Sequence, residues 1–339
     1  MPKASVELTL VEECMRMLLG CRVENFFARR RSYLLIYIIL ILLNMFGYPL
    51  ASRGYALSDT GRVISSLLSV STIPYEWLAP IFHVATIILL VVMWRWGAGA
   101  SRIFAVYVGA NYIFIAFAQT IGVTLEFGLV ILVGAFISYS FIGLLWFWDA
   151  AVCRTEIIFR KLPLWRYWPI PLAISAFWSP INVSWSLISS LQYSVQFMQL
   201  LLSNPYISWM IVSDSPMLFI SIQFVSNLFT LILMSPNFNP LFLLTSSGYG
   251  LTFCMTTPVF LCLLTLFYPQ INELAYKITA FVGIIYGVLN MPHLFSPYTV
   301  WMGVLHFPLL FISIYALILS RILKEKLSLE AASPKKSKY

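Results

Sequence analysis

"YEWLAPIFHVATIILLVVMWRW", Tyr75 to Trp96, is the stretch whose reading decides the fold. It is apolar from Val84 to Met93, and a helix of about 20 such residues, at about 1.5 Å each, crosses the ~30 Å hydrocarbon layer of a bilayer. Tyr75 and Trp77 lie at one end, Trp94 and Trp96 at the other. Paired aromatic ends are what the two membrane–water interfaces select. Pro74 precedes the run, where a helix tolerates proline because the first-turn N–H has no intrahelical acceptor.

Working outward, comparable runs occur at Tyr33–Leu50, Ile103–Ile121 and Leu125–Trp148, then near 168–190, 191–212, 215–234, 249–268, 273–290 and 299–320. The fold expected is all-α, a polytopic integral membrane helix bundle of about 10 transmembrane helices. Residues 168–212 are the difficult part. Pro169, Pro171, Pro180 and Pro205 interrupt them, and Leu187, Leu191, Val195, Met198 and Leu202 form a stripe opposite Gln192, Gln196 and Gln199. The alternative is therefore eight spans, with 168–212 re-entrant or interfacial.

Composition agrees. Sixty per cent of the 339 residues are hydrophobic and 10% are charged, with a mean hydropathy of +0.86. Soluble domains carry about 25% charged residues. One transmembrane domain, 33–320, is expected between a segment 1–32 and a basic tail 321–339. Residues 6–28 mix apolar and charged positions at helical spacing, as suits a helix lying in the headgroup region or packed on its own protein.

The net charge of +8 is read as orientation, not as nucleic-acid binding. Arg29, Arg30 and Arg31 precede the first span, and Arg95 and Arg102 flank the turn after the second. Arg154, Arg160, Lys161 and Arg166 lie in the most basic internal loop, 149–168, and six Lys or Arg lie in the tail. Cytoplasmic segments are enriched in such residues, so both termini are expected in the cytoplasm of a multi-pass cell-membrane protein. No cleavable signal peptide is read ahead of Tyr33. The five cysteines show no CxxC and no zinc spacing; Cys254 and Cys262 read as packing residues.

Topology then places the ionisable side chains. His83 and His306 each lie seven residues beyond a helix-start residue, Glu76 and Thr299, hence about 10 Å from the outer end at 1.5 Å per residue. Glu76 and Glu126 are expected at a similar level, and His293 in the outer loop before the last span. A cluster of His83, His306, Glu126 and Glu76 could form a substrate or proton site, because ionisable groups in a membrane are costly and tend to serve function. Two histidines at one depth could instead ligate a b-type haem or, with carboxylates, another metal. The plainer alternative is hydrogen bonding between helices for the histidines and solvation for the carboxylates.

Uncharged polar residues in the middle of the chain, including Asn182, Gln196, Gln223 and Asn227, could line a path for a neutral solute, or could simply join helices. "GIIYG", Gly283–Gly287, reads as a close helix contact, and Glu273 with Lys277 as a helix-surface pair. GxxxxGK[ST] and HExxH are absent, so neither a P-loop ATPase nor a zincin is supported, and GxSxG is absent too.

The first functional expectation is a transporter or permease for a small uncharged or zwitterionic solute, without enzymatic activity or cofactor. The alternatives are a membrane redox subunit binding b-type haem or quinone through His83 and His306, and a non-catalytic subunit scaffolding a larger complex. The lipid bilayer is the expected partner, with other membrane subunits in the last case.

Overall fold

The computed structural model describes residues 30–178, 248–295 and 300–332. Most of the 1–32 segment, most of 168–212, and the path residues Asn182, Gln196, Gln223 and Asn227 lie outside the described residues, as does the choice between ten and eight spans.

The described chain is mostly helical. It runs α1 (Arg30–Phe46), β1 (Leu50–Ala51), α2 (Thr60–Leu68), α3 (Ala79–Trp96), α4 (Ser101–Thr120), β2 (Ile121–Thr124), β3 (Gly128–Ile131), α5 (Val133–Val152), α6 (Pro169–Phe177), α7 (Phe253–Phe267), α8 (Glu273–Asn290) and α9 (Val300–Ala332). Among the described residues, four stretches are long and apolar enough to cross a membrane: 57–120, 133–152, 273–293 and 306–323. Two more, Ser32–Phe46 and Phe253–Phe267, are apolar but shorter. The first of the four folds back on itself at Gly97, where φ is +50°. Beyond that turn α4 runs antiparallel to α3: Tyr107 Oη donates to the Phe82 carbonyl at 3.2 Å, and the Phe82 and Phe114 rings lie 5.2 Å apart.

One segment departs from the helical expectation. The sequence reading starts a span at Leu125; the structure instead forms a β-hairpin from Ile121 to Ile131, and α5 begins at Val133. Thr124 pairs with Gly128 across a three-residue tip, and β1 adds to the other edge of β3. Local chemistry explains this. Val123, Thr124, Val130 and Ile131 are β-branched and suit a pleated strand. Gly128 takes φ +67°, the left-handed conformation that closes a three-residue hairpin loop. The Thr124 hydroxyl accepts from Phe127 N at 3.0 Å and donates to the Gly128 carbonyl at 3.3 Å. Leu125 ends up at the tip, 98% exposed. The architecture is thus a helix bundle capped at one end by a small three-stranded antiparallel sheet. Val63 and Leu67 of α2 pack on Phe127 and Val130 beneath it.

The core lies between α4, α5, α7, α8 and α9. Phe104, Tyr112, Trp146, Phe260 and Tyr276 are fully buried in it. α7 is central and buried nearly all round, as a helix apolar on every face should be. α3 is as apolar yet peripheral, turning Ile81, Val84, Ile88, Val91 and Trp94 outward. Small residues permit the closest approaches. A Cβ at Gly109 would lie 3.0 Å from the Gly143 carbonyl of α5, and one at Gly287 would lie 2.8 Å from Leu310 Cβ of α9. The GIIYG motif therefore marks a close helix contact, as its spacing predicts.

The end opposite the sheet is polar and basic. Asn272 caps α8, its Oδ1 accepting from Leu274 N at 3.1 Å and Ala275 N at 3.3 Å. Its Nδ2 donates to Asp149 Oδ1 at 3.0 Å. Arg166 is buried, and donates to the Thr265 and Tyr268 carbonyls at the C-terminus of α7, the end of a helix that favours a cation. Glu273 and Lys277 form the expected i,i+4 ion pair, with the Lys277 ammonium 5.6 Å from the Tyr33 ring centroid.

Candidate functional site

The end of one helix and the turn leading into another meet inside the bundle. The first is the end of α6. Pro169 opens this nine-residue helix, and it stops at Phe177, where Trp178 N–H closes the last turn on the Ile174 carbonyl. The second is the turn 248–252, buried at every residue. Irregular backbone in an apolar interior is costly unless its polar groups are caught. Here Leu251 N and Thr252 N donate to the Gly248 carbonyl at 3.0 and 2.9 Å. Gly250 N donates to Thr256 Oγ1 at 2.8 Å, and the Gly250 carbonyl accepts from Asn111 Nδ2 at 3.2 Å. Gly250 has φ +79°, and a Cβ there would fall 2.2 Å from the Phe82 ring. Conformation and space both exclude a side chain.

His83 joins the two. It is fully buried on α3, with its ring 4.6 Å from Phe177 and 5.2 Å from Tyr249. Its Nδ1 lies 2.7 Å from the Ala79 carbonyl and its Nε2 lies 2.8 Å from the Phe177 carbonyl. One turn further on, Thr86 Oγ1 lies 2.7 Å from the Tyr249 hydroxyl and 2.8 Å from that of Tyr107. Asn111, almost wholly buried, has its Oδ1 without a hydrogen-bond partner among the described residues. The assembled site holds amide, hydroxyl, imidazole and backbone groups between aromatic rings. These are hydrogen-bonding groups.

The four residues expected to cluster at one level are placed in different surroundings. His83 lies between α6 and the 248–252 turn. His306, half-buried on α9, is hydrogen-bonded to the thiol of Cys254, the second residue of α7. The Cys254 Sγ is also 3.8 Å from Thr252 Oγ1. Glu126 sits at the hairpin tip, paired with Arg62 at 2.7 Å, with side chains 47% and 65% exposed respectively. Glu76 lies half-buried in the short helical turn Ile73–Leu78 ahead of α3.

Both His83 nitrogens face carbonyl oxygens at hydrogen-bond distance, so an iron there would have to displace one of these contacts. Among the described residues, no group of three or more His, Cys, Asp or Glu stands close enough to hold a metal ion.

Sequence reasoning passed over Thr86, Tyr107, Asn111 and Tyr249, and it read Cys254 as packing. Two signals could have found the site. Asn111 is a lone amide in the middle of an apolar run, and Tyr249 is bracketed by Gly248 and Gly250 ahead of a long apolar helix. The helical rotation that turns Asn111 toward Gly250 has no counterpart in the linear pattern. Comparison of the chain with protein-family models, with curated proteins and with solved structures finds no match in any of the three.

Proposed function

We propose that the protein is a multi-spanning membrane transporter or permease for a small uncharged or zwitterionic solute. The observation that carries this reading is the meeting, inside an apolar bundle, of the α6 C-terminus and the buried 248–252 turn around hydrogen-bonding side chains. Interrupted helices expose backbone donors and acceptors within a membrane, and solute sites of many carriers are built on them. The Asn111 Oδ1, without a partner among the described residues, offers an acceptor to such a solute.

In this reading the apolar faces of α1 and α3 meet lipid. The sheet end faces away from the cytoplasm, because Arg95, Arg102, Arg154, Arg160 and Lys161 gather toward the other end, whereas the sheet end carries Asp59, Glu76 and Glu126 beside Arg53 and Arg62. Both termini are cytoplasmic, and about ten spans complete the bundle.

The test is uptake. Purified protein in liposomes is expected to move at least one member of a panel of neutral and zwitterionic solutes, with Asn111→Leu abolishing that uptake. If no solute of the panel moves and none raises the melting temperature, the transport reading fails and a scaffolding role in a larger complex replaces it.

A further inference from the structure

The contacts of His83 set both of its ring nitrogens against acceptors. A neutral imidazole carries one N–H and one lone pair, whereas the imidazolium carries two N–H groups. Here both ring nitrogens stand against carbonyl oxygens, Nδ1 at 2.7 Å from Ala79 and Nε2 at 2.8 Å from Phe177. A carbonyl oxygen can only accept. In the neutral ring, whichever tautomer is chosen, one nitrogen lone pair points at an oxygen lone pair across a hydrogen-bond distance. Only the doubly protonated ring donates to both.

The surroundings make that charge tolerable but conditional. Phe177 is the last residue of α6, so its carbonyl belongs to the helix end that attracts a cation. The titratable groups set against His83 by ring and hydrogen-bond contacts are phenols: Tyr249 of the buried turn, and Tyr107 of α4 through Thr86. From α6 the contact is Phe177, and from α7 Val259 joins the Phe177–Tyr249 group. Among the described residues, none of these contacts is a carboxylate, a lysine or an arginine. A buried cation is expensive to keep.

We propose that His83 is a proton-binding site that latches the end of α6 to α3. The proposal rests on the transport reading for its role, where the proton is the coupling ion. Proton uptake by the ring closes the latch in the arrangement described here. Release of the proton to water leaves a lone pair facing a carbonyl oxygen, and the two separate. Because the ring also packs on Tyr249, that separation opens the way to Gly250 and Asn111. Acid favours the closed form and alkali the open one, since only the closed form uses both N–H groups.

The experiment uses the full chain in lipid nanodiscs, with ring-15N histidine and carbonyl-13C phenylalanine. Solid-state NMR then reads the protonation of the His83 ring and its dipolar coupling to the Phe177 carbonyl. His306→Gln removes the other helix histidine and assists assignment. At acid pH the coupled ring is expected to carry two protonated nitrogens, and the coupling is expected to vanish on alkalinisation. A coupled ring that is neutral at acid pH overturns the proposal, and so does a coupling that survives deprotonation. Uptake is scored separately. If the NMR result stands and no solute moves, the proton latch holds and the transport reading falls. If solute moves with no response to a pH gradient in either wild type or His83→Gln, transport stands and coupling through His83 falls.

Discussion

His83 and His306 start alike and end differently. Each lies seven residues beyond a helix-start residue, in an apolar run. His83 is wholly buried and tied to two backbone carbonyls, one of them contributed by a helix that ends in the interior. His306 is half-buried and is bonded to a side chain, the Cys254 thiol. Depth along a helix therefore does not determine a histidine's partner. Helix rotation and the presence of a neighbouring helix end do. The first histidine is held by backbone that cannot retreat without moving a whole element; the second is held by a group that a rotamer change can release.

The sharpest way to break the comparison is to disturb the backbone that His83 reads. Gly250→Ala forces a Cβ into the Phe82 ring at a φ of +79°. Strain and overpacking together predict a loss of about 3 kcal/mol, measured as a large fall in the thermal midpoint of the protein in detergent. His83→Leu comes next. It removes the His83 contact to the Phe177 carbonyl and should cost about 2 kcal/mol in the same assay. His306→Leu is predicted to cost less, about 1 kcal/mol, since the site is half-buried and the thiol is a weak hydrogen-bonding group. It should also change the rate at which maleimide alkylates Cys254, read by mass spectrometry, whereas His83→Leu should leave that rate unaltered. Equal stability losses for the two histidine variants would remove the distinction between the sites. The smallest effect belongs to Glu126→Gln, which breaks an exposed pair with Arg62 and should shift stability by about 0.5 kcal/mol or less.

The hairpin shows why part of the fold was hard to read. Residues 121–131 are as apolar as the spans on either side, so hydropathy runs straight through them. The strand-forming signal is local: β-branched residues and a glycine able to take positive φ. It becomes decisive only because α2 supplies Val63 and Leu67 to cover one face. The buried turn 248–252 was hard for a related reason. Its donors and acceptors are satisfied by Asn111 and Thr256, and a satisfied interior turn looks in sequence like any short glycine-containing loop.

The linear pattern alone specifies the class and the local grammar. Apolar runs with aromatic ends specify helices long enough to cross a membrane, because an apolar backbone segment must bond to itself. The Glu273–Lys277 pair and the Gly283–Gly287 contact follow from helical periodicity alone. Only the tertiary structure decided which residues meet. α3 and α7 are equally apolar, yet one turns Trp94 outward with 75% exposure and the other is enclosed on nearly every side. Composition records how much surface a helix must keep from water, and lipid and protein both satisfy that demand. Packing alone chose between them, and in doing so gave His83 two carbonyls and His306 a thiol.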